Sequence, residues 1–325
     1  MLLLSGCGRK GPAPSTSAGL FPVRFQTDWF PEPEHGGYYE ALARGYYAEA
    51  GLDVRILPGG PNSGYLAAVA TGRADLGMGN SDDVITAISQ GVPVKIVAAE
   101  MEHDPQGILF HASHPIHTVR DLNGRVVMAG PASVWVQVAQ KLYGIHFQLQ
   151  PLLGDLARFM NDPTFIQQCF VTNEPYFAAA RGAHPQAILT STLIPRYDPY
   201  RVIFVGDAFL ARHPDVVRRF VRASIRGWID YVTGDPGPAD ALLRKLRPDL
   251  PAGIFTYSLD AMRKYRLVQG DPARGEQAGL LTRARLQQEI DLLQAVGVLD
   301  HPVTVDQVAA LDFGPKPVSG GAPSP

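Results

Sequence analysis

Between residues 21 and 57 the hydrophobic pattern changes period twice. Val23-Arg24-Phe25-Gln26-Thr27 alternates apolar and polar positions, and Leu52-Asp53-Val54-Arg55-Ile56 does so again, the period of a strand with one buried face. Between them Tyr38, Ala41 and Leu42 fall at helix-face spacing, Gly45 suits the helix end, and Gly51 marks a second turn. Strand, helix and strand within about 30 residues make a βαβ unit. Its connection is expected to be right-handed and its strands parallel. A ligand then belongs outside the carboxyl ends of the strands, where Asp28, Trp29, His35 and Tyr38 stand.

The pattern continues in the α/β manner. Gly59-Gly60-Pro61-Asn62-Ser63-Gly64 is a turn leading into a helix over 65–70, with Asn62 or Ser63 free to cap that helix or to face a ligand. A strand over 74–79 ends at Asn80 and Ser81, and Asp82 and Asp83 suit the first turn of the helix that follows. Strand-like runs over 94–99 and 107–110 come next, the second read as a crossing with a boundary near residue 110. Beyond it lie a strand over 125–129, a helix over 133–143, a strand near Phe147, a helix over 155–160 and a strand around Phe170. The run 200–205 reads as a return crossing. From Pro214 the pattern is helical, with Val217, Phe220, Val221, Ile225, Trp228, Ile229 and Val232 on one face and Arg218, Arg219, Arg222 and Arg226 opposite. The expected organisation is therefore a tether over 1–20, one lobe built from 21–109 and 205–313, a second lobe over 110–204, and a disordered tail over 314–325.

Length and composition narrow this picture. At 325 residues the chain exceeds the usual size of one hydrophobic core, which favours two lobes. A formal charge of −2 supplies no electrostatic pull toward nucleic acid or an anionic surface, and no nucleic-acid partner is expected. Leu4-Ser5-Gly6-Cys7 resembles a bacterial lipobox, preceded by a shortened apolar stretch and followed by the Gly/Pro/Ser-rich residues 8–19. Lipidation of Cys7 and attachment to the cell envelope are the expectation, with the start of a longer signal missing. With Cys7 so used, Cys169 is left without a disulfide partner and reads as a buried inert thiol. His111, His114 and His117 are spaced for a linker rather than a metal site, since Pro115 breaks any helix there. No metal and no cofactor are expected.

Aromatic and amide side chains are the candidate chemistry. Trp29 in the first lobe and Trp135, next to Ser133, in the second supply flat faces on the two sides of a presumed cleft, an economical way to hold a flat heterocycle. Asn173 and Glu174 follow a strand end. A carboxylate there suits ring N–H or amino donors. Asp198 and Arg201, at the return crossing, read as structural.

The segments DWFPEPEHGGYY, ARGYYAEAGLDV, GGPNSG and TGRADLGMGNSDDV together resemble the solute-binding proteins of bacterial ABC importers, in the branch holding thiamine-pyrimidine-precursor, riboflavin, nitrate and sulfonate binders. The likeness runs from about residue 21 to 250. It implies a two-lobed periplasmic-binding-protein type II fold, with mixed sheets flanked by helices and two crossover strands at a hinge. It also implies a monomer that captures a solute and passes it to an ABC permease. The site residues it implies, with those read above, are Asp28, Trp29, His35, Tyr38, Asn62, Ser63, Asn80, Ser81, Ser133, Trp135, Asn173 and Glu174. Two alternatives stand beside the nitrogenous solute. One is an oxyanion or sulfonate. The other is a histidine-consuming pyrimidine synthase of the fungal type, with His35 at the matching position. That reading is weakened because this chain has one cysteine in Gln167-Gln168-Cys169-Phe170 where those enzymes carry several, and no lysine stands near His35.

Overall fold

The computed structural model describes residues 19–316 except 62, 131–132 and 153–154. Cys7, Asn62 and most of the expected C-terminal tail lie outside the described residues. Ten strands alternate with helices: β1 (Phe21–Gln26), β2 (Leu52–Leu57), β3 (Leu76–Asn80), β4 (Val94–Met101), β5 (Gln106–His111), β6 (Val126–Ala129), β7 (Gln148–Pro151), β8 (Ile166–Phe170), β9 (Pro185–Leu189) and β10 (Arg201–Gly206). They form two five-stranded sheets, ordered β2-β1-β3-β10-β4 and β7-β6-β8-β5-β9. In the first, β1 runs parallel to β2 and β3, whereas β10 is antiparallel to β3 and β4. In the second, β6 is parallel to β7 and β8, and β5 is antiparallel to β8 and β9.

Each sheet thus receives one antiparallel strand at the point where the chain arrives from the other. The chain leaves the first sheet after Met101, enters the second at Gln106, and is back in the first at Arg201. The runs expected to be crossings at 107–110 and 200–205 are therefore interior strands, and the sheet changes fall ahead of both. They read as continuous apolar runs because interior strands are covered on both faces. Every residue of β10 is buried. Residues 174–180 and 185–189, left unassigned by periodicity, form a helix and an edge strand. A strand beginning with Pro185 is tolerated at the sheet edge, where the missing N–H breaks no interior ladder.

The helix Gly36–Ala43, which follows the loop carrying Asp28 and Trp29, packs on the 20-residue helix Pro214–Thr233. Val217, Phe220, Val221, Trp228 and Val232 are buried as their spacing predicts, but Ile229 is 41% exposed and Leu42 37%. The two helices meet through glycine. A Cβ on Gly227 would lie 2.2 Å from the Gly37 carbonyl oxygen and 2.7 Å from the Ala41 Cβ, while Gly37 receives the Trp228 ring. Two backbones this close leave nothing flexible to move aside. No helix among the described residues is long and apolar enough to cross a membrane.

The first passage between sheets is lined with buried acids. Burial pushes the Glu100 carboxyl up to about 7, against the opposing pull of Arg201, and pushes Glu102 up to about 8 and Asp104 up to about 7. All three are almost completely buried.

Two outcomes follow from this packing. Gly227→Ala should lower unfolding free energy by about 1–3 kcal/mol through overpacking, read from denaturant melts. The buried acids hold protons in the fold that the unfolded chain has released, so stability should fall as pH rises from about 5 to 8. A thermal midpoint higher at pH 8.5 than at pH 5.5 would show that these carboxyls are ionised in the folded protein.

Candidate functional site

The carboxyl ends of β1, β2 and β3 face the second lobe across a cavity of ≈ 380 Å³. The first lobe contributes Asp28 and Trp29 after β1, Ser63 and Tyr65 after β2, Asn80 at the end of β3 and Asp83 just beyond it, and Arg201 at the start of β10. From the second lobe come Gln106 at the start of β5, Ser133 after β6, and Gln168 and Phe170 on β8. Larger cavities of ≈ 580 and ≈ 660 Å³ lie behind the hinge, beside Arg285 and Glu289, and outside β2, beside Tyr39 and Leu246. Neither is gripped by strand ends of both sheets, so lobe movement would not enclose a ligand there.

Arg201 organises the first-lobe wall. Its Nη2 is 2.8 Å from Asp28 Oδ2, its Nη1 donates to Asn80 Oδ1 at 2.8 Å, and its Nε donates to Glu100 Oε1 at 3.3 Å. Its guanidinium also sits 5.5 Å from the centre of the Phe170 ring, which belongs to the other lobe. Burial opposes the charge of Asp28, but Arg201 and then His35 outweigh it and hold the carboxyl at about 2. The opposite holds for Asp83, whose carboxyl is raised by burial and by Asp82 and Asp104. One carboxylate of the wall is thus firmly ionised, and the other is held toward its neutral form.

The loop after β2 shapes the wall from behind. A Cβ on Gly59 would stand 2.4 Å from the Asp28 carbonyl carbon, so only glycine lets the two segments touch. Gly59 N donates to Trp29 O at 2.9 Å, Gly60 N to Asp28 O at 3.3 Å, and Ser63 Oγ to Asp28 O at 3.3 Å. These donors, expected to greet a ligand, are committed to fixing Asp28 and Trp29. Trp29 itself is half-buried, braced edge-on by Phe30 at 5.5 Å. The glycines of β3 have a similar internal use: a Cβ on Gly79 or Gly77 would meet the rings of Tyr65 or Phe204 at 2.7 Å.

Of the residues proposed from sequence, the cavity brings together Asp28, Trp29, Ser63, Asn80 and Ser133. Asn62 lies outside the described residues, and the remaining candidates do not line the cavity. His35 is 1% exposed, its Nε2 3.3 Å from Asp28 Oδ1, so it orients the carboxylate instead of lining the cavity. Tyr38 is fully buried against Phe25 and Trp228, with its hydroxyl donating to Glu100. Ser81 donates to Glu289 Oε1 at 2.6 Å and accepts from Tyr200 N at 2.9 Å. Trp135 stacks on Phe147 inside the second lobe, ring centres 5.9 Å apart. The Asn173 amide donates to Glu32 across the lobes, beside a matching bond from Thr172 to Glu34. Glu174 turns back to accept from Phe170 N at 2.7 Å.

Sequence reasoning overlooked Arg201, Tyr65, Asp83, Gln106, Gln168 and Phe170 as cavity residues. By sequence pattern alone Arg201 reads as structural and Asp83 as a partner of the helix dipole. Gln168 and Phe170 were available to period-2 counting, because they flank Cys169 and share the opposite face of β8.

Comparison with known proteins fits this architecture. The chain is 24% identical over 324 residues to the riboflavin-binding protein RibY of Chloroflexus aurantiacus, covering 94% of this chain and 89% of that one. It is 32% identical over 128 residues to a formylaminopyrimidine-binding protein of Halalkalibacterium halodurans, covering 39% and 38%. A 4-amino-5-hydroxymethyl-2-methylpyrimidine phosphate synthase of Saccharomyces cerevisiae is 24% identical over 233 residues, covering 66% and 68%. Among solved structures, the periplasmic aliphatic sulphonate binding protein SsuA of Escherichia coli superposes with a TM-score of 0.65 at 16% identity, over 89% of this chain and 97% of that one. That likeness establishes the two-lobed periplasmic-binding-protein fold. Residues 32–239 match the family described as NMT1/THI5 like, and the chain belongs to that family.

Proposed function

We propose that this protein is the solute-binding component of an ABC importer: it captures a small, flat, nitrogenous solute between its lobes and delivers it to a permease. The state of Arg201 carries this reading. Arg201 is the sole cationic side chain lining the cavity among the described residues, and its three nitrogens already serve Asp28, Asn80 and Glu100. An oxyanion would meet the ionised Asp28 carboxylate beside a guanidinium whose charge that carboxylate already offsets. A neutral or amine-bearing ring instead finds the aromatic surfaces of Trp29, Tyr65 and Phe170 and an anion for its N–H donors.

Binding without chemistry is supported by the surroundings of the groups a synthase would use. His35 is sealed beneath Asp28, and the Cys169 thiol is buried and raised well above its ordinary pKa by that burial. The likeness to a periplasmic sulphonate-binding protein supports a site of action outside the cytoplasmic membrane, and the Leu4–Cys7 motif supports a lipid anchor there. Bonds from Thr172 and Asn173 to Glu34 and Glu32 join the lobes at the rim, a contact that hinge motion would make and break.

A thermal-shift panel of riboflavin, 4-amino-5-hydroxymethyl-2-methylpyrimidine, taurine and nitrate tests the reading. A heterocycle at about 100 times its dissociation constant should stabilise by about 2.7 kcal/mol, and stabilisation by taurine or nitrate alone would overturn the proposal. Trp29→Ala should weaken binding of the heterocycle by roughly tenfold through lost stacking and burial, measured by titration calorimetry. Product formation on incubation with pyridoxal phosphate and iron would replace the receptor with an enzyme.

A further inference from the structure

Within the second-lobe wall, one side chain is oriented more rigidly than binding surface requires. The Gln168 Oε1 accepts from Trp135 Nε1 at 2.9 Å, from Ser133 Oγ at 3.0 Å and from Gly130 N at 3.4 Å. An indole N–H and a backbone N–H can only donate, so the amide oxygen, and not its nitrogen, must occupy this position. Trp135 cannot swing away, being 1% exposed and stacked on Phe147. The carboxamide is therefore locked with its NH2 on the remaining side. Gln168 lines the cavity together with Phe170 on the same face of β8, and its Nε2 has no hydrogen-bond partner among the described residues.

We infer that Gln168 is the specificity-determining donor of the second lobe, reading a carbonyl oxygen or an unprotonated ring nitrogen on the solute. The inference rests on the cleft being the solute site, and it defines the solute class more narrowly. Asp28 on the opposite lobe is an anion and accepts only. A solute bridging the closed lobes must then offer N–H donors to the first lobe and an acceptor to the second. Amide-like and amidine-like edges of pyrimidine and isoalloxazine rings carry this pairing, whereas a ring protonated at its accepting nitrogen does not. Ser133 and Trp135 act as positioning residues: they set the Gln168 amide without themselves supplying the reading donor. This gives the second-lobe tryptophan a role that a stacking face did not predict.

The test is Gln168→Glu in the full chain, with riboflavin and 4-amino-5-hydroxymethyl-2-methylpyrimidine as probes. At pH 8 the new carboxylate has no proton to donate, and affinity relative to the unaltered protein should drop by about tenfold or more, the scale on which sites built around a hydrogen bond reject a mismatched group. As pH is lowered through the carboxyl range to about 4 the group gains an O–H in the same place, and the relative affinity should recover. A merely structural loss would not return with acid. Binding equal to the unaltered protein at pH 8, or a deficit constant across pH, would overturn the inference. Should Gln168→Glu fail to fold, judged by its melting curve, Gln168→Met removes the donor at similar volume: weakened binding supports the assignment and unchanged binding overturns it. If the unaltered protein binds neither probe, the reading of the cleft falls, which is distinguishable from a failure of Gln168 alone.

Discussion

The guanidinium of Arg201 is the point from which the rest of the site is organised. A cation buried this deeply is sustained only if its hydrogen-bonding positions are met and its charge is balanced. Here the partners come from four separate pieces of chain: Asp28 after β1, Asn80 at the end of β3, Glu100 on β4, and the Phe170 ring on β8. Asn80 extends the set, donating to Asp104 at 2.9 Å in the passage between sheets. Asp104 in turn accepts from Gln106 N at 3.0 Å, so the cluster reaches the first strand of the second sheet. Satisfying one arginine thereby ties the solute wall to the hinge.

This arrangement also decides the electrostatics of the cleft. Arg201 keeps Asp28 ionised but is itself neutralised in doing so, leaving a wall whose exposed character is an acceptor and not a cation. A second cluster behind the hinge uses the same logic. His103 lies between Asp198, at 2.9 Å, and Glu276, at 3.1 Å, while Arg285 reaches the Glu102 and Asp198 carbonyl oxygens. Both passages between sheets are therefore held by buried or half-buried ionisable groups. These are costly to leave unpaired, so the hinge geometry is narrowly specified.

On the second-lobe side, specificity depends on a neutral group. The Gln168 amide is fixed by donors of one lobe alone and needs no charge to present its N–H groups. Closure brings this donor toward an acceptor wall across a cavity of ≈ 380 Å³. The division suits a receptor that must release its solute, because neither lobe by itself supplies the complementary pair.

The sequence alone determined the local elements. Alternation at 23–27 and 52–56 places β1 and β2, the helix Tyr65–Ala70 has the predicted limits, and the apolar stripe of Pro214–Thr233 marks its buried face, because backbone period and side-chain burial are set by neighbours in sequence. It also placed Asp28, Trp29 and Asn80 at strand ends and Ser133 at a helix start in the second lobe, where the topology opens a cleft. Tertiary structure decided everything that depends on pairing across distance. Whether 107–110 is a connector or an interior strand depends on β8 and β9 pairing beside it, which no local period records. His35, Tyr38 and Trp135 have the chemistry of ligand residues, yet the His35 Nε2, the Tyr38 hydroxyl and the Trp135 indole N–H are taken by Asp28, Glu100 and Gln168. Arg201 reads as one more polar residue at a strand start until folding brings Asp28, Asn80 and Glu100 around it. Burial and partner choice are properties of the assembled chain, and they separate the residues that face the solute from those that hold them in place.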